Sequence, residues 1–139
     1  MKAAVYTRRV YAMEKELERM QVSLPMYALQ DIGQYYARDE VKIVAGRGMK
    51  YNGRLLSYYD GEKIVLARNG RKASVVLHEV AHSLAGFAAG HGPKFMRHYC
   101  RLLVVAGVIG GYALEALLHK YNIRVPVKQI RLDRGSEVT

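Results

Sequence analysis

The sequence predicts an α+β fold: a small three-stranded sheet precedes a buried helix, and the N- and C-terminal parts of the chain are helical. Three observations carry this. Apolar residues recur at helical spacing near the start and again in the last third. Short β-rich runs punctuated by glycine and Asp-Gly occupy the middle, between about Val41 and Arg68. Immediately afterwards comes a nearly unbroken apolar stretch around Val75, Val76, Leu77, Val80 and Leu84, long enough for a helix rather than a strand.

Taken in order, Tyr6, Val10, Met13, Leu17 and Met20 fall on one helical face, so an amphipathic helix is expected over about Ala4 to Gln21. Ser23 and Pro25 open a second helix that runs to about Arg38 with Leu29, Ile32 and Tyr36 inward. Val41 to Ala45 reads as a strand, stopped by Gly46 and Gly48. Leu55–Tyr59 and Lys63–Arg68 read as a hairpin about Asp60-Gly61, with Tyr58 and Tyr59 as ordinary alternating strand residues. Asn69-Gly70 ends the sheet. The next helix should start between Gly70 and Lys72 and stop between Ala88 and Gly90, with Val76, Val80, Leu84 and Phe87 on one face.

The C-terminal third begins with Pro93, whose fixed φ and missing donor suit the first position of a helix. Leu102 to Leu118 is the most apolar run, yet Gly107, Gly110, Gly111 and Glu115 interrupt it and it falls short of the roughly 20 apolar residues that cross a bilayer. It is therefore expected to be two packed helices or one broken helix, with no membrane span. The polar stretch Asp133–Thr139 is expected to be a disordered tail behind a single domain over residues 1–132. Cys100 is the sole cysteine, which excludes an internal disulfide, and Met1–Val10 is broken by Lys2, Arg8 and Arg9, unlike a secretory signal. A reducing cytoplasm is the expected compartment.

Chemistry concentrates in His78-Glu79-Val80-Ala81-His82. Residues four apart on a helix stand one turn above each other, so both imidazoles can reach one metal ion. Glu79 is rotated about the axis, which suits a carboxylate acting on water rather than ligating. The string alone would arise by chance in roughly a few of every thousand chains of this length, so its setting matters: two histidines and a glutamate on an apolar helix are costly to bury without a partner. A third ligand is offered by His91, held between Gly90 and Gly92 on a tight turn that can fold back to the helix. His98 and Glu115 are lower-ranked alternatives for that place.

HEVAH, eight residues, then HGPKF resembles the SprT-like zinc metallopeptidases, whose pattern is HExxH, a short variable loop, and GHGxxF or GHGxxW. Over most of its length, with Arg9-Val10-Tyr11-Ala12-Met13-Glu14 near the start, the chain is also similar to a small metallohydrolase family of actinobacteria and their phages. The spacing departs from the metzincin HExxHxxGxxH pattern. The resemblance implies a minimal zincin-like core, a Zn²⁺ held by His78, His82 and His91, and Glu79 as the general base of peptide hydrolysis. It also implies a protein or peptide substrate laid as an extra strand along the sheet edge, here the Leu55–Arg68 hairpin. A second group to stabilise the oxyanion is open among His98, Tyr99 and Tyr112.

Charge leaves the partner undecided. The formal net charge is +10, and related enzymes include some that degrade proteins crosslinked to DNA, so weak nucleic-acid binding through the basic surface is one expectation. The cations are nevertheless scattered, from Arg8 and Arg9 through Lys42, Arg47, Lys50, Arg54, Arg68, Arg71 and Lys72 to Arg124, Lys128, Arg131 and Arg134, and no DNA-binding motif is visible. Two rivals to a general peptidase follow: a metal-stabilised nucleic-acid-binding module without catalysis, and a regulatory peptidase that cleaves one specific repressor. The presence of Glu79 as a base argues against the first, because a purely structural site has no use for one and closes its fourth position with protein. The GHGPKF loop argues against the second.

Overall fold

The structure, a computed structural model, describes residues 3–125. The expected tail and the cations beyond Val125 lie outside the described residues. Among them the chain forms α1 (Ala3–Arg19), α2 (Met26–Tyr36), β1 (Lys42–Ala45), β2 (Met49–Tyr51), β3 (Arg54–Leu56), β4 (Tyr58–Tyr59), β5 (Lys63–Leu66), α3 (Ala73–Ala85), a single 3₁₀ turn (Phe87–Ala89), α4 (Pro93–Val105) and α5 (Gly111–Lys120). The α+β class and the helical ends are as the sequence predicts.

The three-stranded sheet runs β1-β5-β4, with β1 parallel and β4 antiparallel to the central strand. Ile64, Val65 and Leu66 of β5 are all buried, as a strand covered on both faces requires. The expected strand Leu55–Tyr59 is not continuous. At Ser57 the side chain replaces the ladder, its Oγ accepting the Ala67 N–H at 2.8 Å, and the chain changes sheets. Leu55 and Leu56 belong to β3, which pairs with β2 in a separate hairpin that the sequence reading missed. Its turn is Asn52-Gly53, with φ of 47° and 77°, the pair of positive φ values that a two-residue primed turn demands. The β4–β5 turn is tied by Asp60, whose Oδ1 accepts the Glu62 and Lys63 N–H groups at 2.9 Å each.

One hydrophobic cluster joins the layers. Val10, Met13 and Leu17 of α1, Leu29 of α2, Ile43 and Ile64 of the sheet, Val76, Leu77 and Val80 of α3, and Phe95, Leu102 and Leu103 of α4 are buried in it. Buried Gly33 lets α2 approach so closely that an added Cβ would collide with Ile43 and touch Val76. At the start of α3, Gln21 acts as a cap from another helix: its Oε1 accepts the Ser74 N–H at 2.9 Å, while its Nε2 donates to Ser74 Oγ at 2.7 Å. Lys72 Nζ donates to the Gln21 and Glu18 carbonyls at 2.6 and 3.3 Å. These contacts lock the C-terminus of α1 to the N-terminus of α3 and set α1 against the histidine-bearing turns.

Several boundaries differ from the expectation: α1 ends at Arg19 rather than Gln21 and β5 at Leu66 rather than Arg68. α2 stops at Tyr36 because Ala37 turns extended, two residues short of Arg38. α3 stops at Ala85, where Gly86 takes φ of 99°, so Phe87 leaves the apolar face and is 64% exposed. In the C-terminal third the break falls where the glycines lie, between Val105 and Gly111, and no helix is long and apolar enough to cross a membrane among the described residues. Cys100 is free and buried, and burial pushes its thiol up to about 12.

Candidate metal centre

His78 and His82 lie one turn apart on α3, inside the molecule, with ring centroids 4.9 Å apart. After Ala85 the chain reverses through Gly86, the 3₁₀ turn and Gly90, whose φ of 58° and ψ of −141° suit glycine alone. The reversal carries His91 back over α3. His91 Nε2 then stands 3.2 Å from His78 Nε2, and one ring nitrogen from each of His78, His82 and His91 falls in a group within 4.8 Å. Those three residues could hold a metal ion. They form the described group of His, Cys, Asp and Glu with that property.

The alternatives for the third ligand fall elsewhere. His98 sits among Arg101, Lys94, Arg38 and Arg97, which with burial hold its pKa below the ordinary value. Glu115 lines a cavity at the end of α5 with His119 and Ile123.

Burial holds all three clustered imidazoles neutral. His78 and His91 are lowered to about 3 and His82 to about 2, each chiefly by desolvation, with the neighbouring rings adding to the effect on His82 and His91. A neutral imidazole offers a lone pair, and three of them leave room in a tetrahedral set for one further ligand. The donor set fits a borderline divalent metal.

The far nitrogens of two rings face side chains of α1. Glu14 Oε2 lies 2.6 Å from His78 Nδ1, and Thr7 Oγ1 lies 3.4 Å from His91 Nδ1. The Glu14 contact is close but not aligned as a hydrogen bond, leaving His78 Nδ1 without a well-directed partner. Glu14 itself is fixed by the Tyr99 hydroxyl, which donates to Oε2 at 2.8 Å. Outer partners of this kind orient ligating rings and set which nitrogen faces the metal. Burial raises Glu14 to about 7 even though the Tyr99 hydroxyl, His91 and Arg54 pull the other way.

Glu79 is outside the ligand group. Its Oε2 is 4.0 Å from His78 Nε2, and its carboxyl is pushed well up by burial and then by Glu14, against a backbone hydrogen bond from Tyr59 on the edge strand β4. Glu79 also lines a cavity of about 30 Å³ with Tyr11, Glu14, Glu18, Arg54 and Ser57, a polar space large enough for a water molecule. Aromatic rings wall the cluster. Phe95 is 4.3 to 5.0 Å, centroid to centroid, from all three imidazoles, and Tyr11 is 5.2 Å from His91 and 6.1 Å from His78.

Sequence reasoning missed Glu14, Thr7 and Tyr11. A trace of Glu14 was present: it is the one acid on the Val10–Met13–Leu17 face of α1, where a carboxylate has no place unless something inside needs it. Thr7 and Tyr11 lie on the same helix at one-turn intervals from Glu14 and carry no comparable mark. Of the three groups open as oxyanion donors, Tyr99 is committed to Glu14, Tyr112 is 62% exposed and His98 lies among cations. Compared with known proteins, the chain matches no family model, no curated protein and no solved structure, so its function has to be argued from this site.

Proposed function

We propose that this protein is a zinc-dependent metallopeptidase in which His78, His82 and His91 hold the metal and Glu79 is the general base. One observation carries the reading: a carboxylate stands beside a three-imidazole cluster without joining it and lines a water-sized cavity. A structural metal site has no use for such a group. When bound, zinc supplies Lewis acidity, lowering the pKa of water to about 7 and polarising the scissile carbonyl.

The rest is the work of this chain. Glu79 takes the proton of the attacking water and returns it to the leaving amine, so the carboxylate ends the cycle as it began. Its raised proton affinity suits the task of holding a proton between those two transfers. Glu14 and Thr7 keep the His78 and His91 rings turned, Nε2 inward. Tyr11, on the wall of both the cluster and the Glu79 cavity, is the side chain we assign as donor to the developing oxyanion. Edge strand β4 reaches Glu79 through Tyr59 and offers the polypeptide a backbone to pair with.

The test is cleavage of a broad peptide library by zinc-loaded protein, its Glu79→Gln variant and a Tyr11→Phe variant. Glu79→Gln should keep its zinc and its fold and lose 10²-fold to 10⁴-fold or more in rate. Undiminished cleavage by zinc-loaded Glu79→Gln would refute the mechanism.

A further inference from the structure

Beyond the Glu79 cavity lies an open groove of about 900 Å³ between the β2–β3 hairpin and the turn that precedes α3. Four arginines line it: Arg47, Arg54, Arg68 and Arg71. Ala45, Gly46, Gly53 and Leu55 supply the rest of its floor together with Asn69. No acidic residue shares the lining, and none of the four guanidinium groups appears in an ion pair among the described residues. Arg71 Nε is buried with no hydrogen-bond partner, a donor that folding has taken from water without giving it an acceptor.

Arg54 also acts on Glu14 and Glu18, with which it lines the adjoining cavity, but the groove's own lining carries four cations and no acid, so its potential favours an anion entering it. The guanidinium fork is matched to planar oxygen pairs, which it takes through two parallel hydrogen bonds. Two features select between the anions that could supply those oxygens. First, Arg54, Leu55 and Asn69 line both this groove and the Glu79 cavity, so a chain lying in the groove runs into the reaction site. Second, no aromatic side chain lines the groove, which leaves nucleotide bases without a stacking platform, whereas its aliphatic floor suits the side chains of a polypeptide.

We infer that the Arg47–Arg54–Arg68–Arg71 groove is a specificity subsite that takes Asp and Glu side chains of the substrate on one side of the scissile bond. The inference rests on the peptidase reading and narrows its substrate class to acidic polypeptide segments.

The test separates the two. Fluorescein-labelled peptides that differ only in carrying Glu or Gln along one flank are titrated into the zinc-loaded Glu79→Gln protein by anisotropy, with a single-stranded oligodeoxynucleotide as competitor. The same peptides are offered to the parent enzyme for cleavage. Arg47 and Arg68 are exposed and belong to the groove alone, so an R47E/R68E double variant probes it without touching the catalytic residues; circular dichroism checks its fold. The Glu peptide should bind about tenfold or more tightly than its Gln twin, as charge-assisted pairing of one or more carboxylates gives. That advantage should fall with salt and vanish in R47E/R68E. Equal binding of the two peptides, or a preference that survives R47E/R68E, overturns the subsite. So does oligonucleotide binding that depends on Arg47 and Arg68 while the Glu preference is absent, which gives the groove to nucleic acid. Binding of Glu peptides through these arginines without cleavage of any peptide leaves the subsite and removes the peptidase; equal cleavage of both peptides does the reverse.

Discussion

Replacing Glu14 by Gln should move zinc affinity and fold stability in opposite directions. His78 and His91 present Nε2 to each other across 3.2 Å, so in the ligating form His78 carries its proton on Nδ1, 2.6 Å from Glu14 Oε2. In the metal-bound form the carboxylate is expected to align with that proton, fixing the ring and making its other nitrogen a stronger donor to the metal. Losing an outer partner of this kind costs about 10-fold to 100-fold in metal affinity, or about 1.4 to 2.7 kcal/mol. The same carboxylate is a burden to the metal-free fold. Its pKa rises from 4.5 to about 7 on burial, which corresponds to about 3 kcal/mol of penalty once the pH exceeds 7. Gln keeps the shape and an acceptor for the Tyr99 hydroxyl while removing the charge, so the metal-free variant at pH 8 should be as stable as the parent or more so. Glu14→Ala is a poorer probe because it strands that hydroxyl in the core, at about 1–3 kcal/mol. The assays are urea unfolding of metal-free protein and zinc competition against a chromophoric chelator. Unchanged zinc affinity in Glu14→Gln, with the fold intact, would refute the role of Glu14; a loss of stability matching the loss of affinity would reduce it to packing.

Other expectations follow from the same geometry. His91→Ala should lose zinc as fully as His78→Ala does, while His98→Ala and Glu115→Ala keep it; elemental analysis of the purified variants decides, and the reverse pattern overturns the ligand set. The three buried histidines, at about 3, 2 and 3 against 6.5 unfolded, withdraw stability as pH falls below 6.5, and Glu14, Glu18 and Glu79, all raised from 4.5, withdraw theirs as pH rises above 4.5, so the two trends offset each other between pH 4.5 and 6.5 and the metal-free protein should be most stable in that band. A steady rise to pH 8 in urea titrations would contradict this. Zinc should raise the unfolding midpoint most at pH 8, where it offsets the buried carboxylates, and in proportion to the logarithm of its free concentration.

What the sequence made legible is what repeats locally. Helical spacing in α1, the Pro93 start of α4 and the glycine break before α5 were readable because each depends on residues within a turn or two of one another. The His78–His82 pair was readable for the same reason, and His91 because two glycines and a proline marked a turn close enough in sequence to return. The β2–β3 hairpin was missed although Asn52-Gly53 announces it, since the Gly46 and Gly48 breakers drew attention to where β1 ends and not to what begins. Ser57 was opaque for a different cause. Its hydroxyl replaces a ladder acceptor for Ala67, a partner ten residues away, and no local rule says that a serine in a β-rich run will split it. The Arg54 and Arg71 convergence is likewise a product of folding: their spacing in the sequence reads as scattered charge, and only the packing of the hairpin against the α3 approach puts them on one groove.

The burial of this site sets the protonation states of its histidines. A pair of core histidines is ordinarily content when each ring nitrogen finds a donor or acceptor. Here two of the three rings meet Nε2 to Nε2 at 3.2 Å, a contact in which one ring donates and the other accepts, and Glu14, Glu79 and the hydroxyls of Tyr11 and Tyr99 are all driven towards their protonated forms. Desolvation pushes the imidazoles towards their neutral forms as well, so the metal-free cluster is a set of uncharged groups. A divalent cation held by the three rings would take their lone pairs and would favour the ionised forms of the two nearby carboxylates. The three imidazoles and Glu79 come from α3 and the loop that follows it, while Glu14 comes from α1, so a cation at this place would tie two distant stretches of the chain into one charge-balanced set.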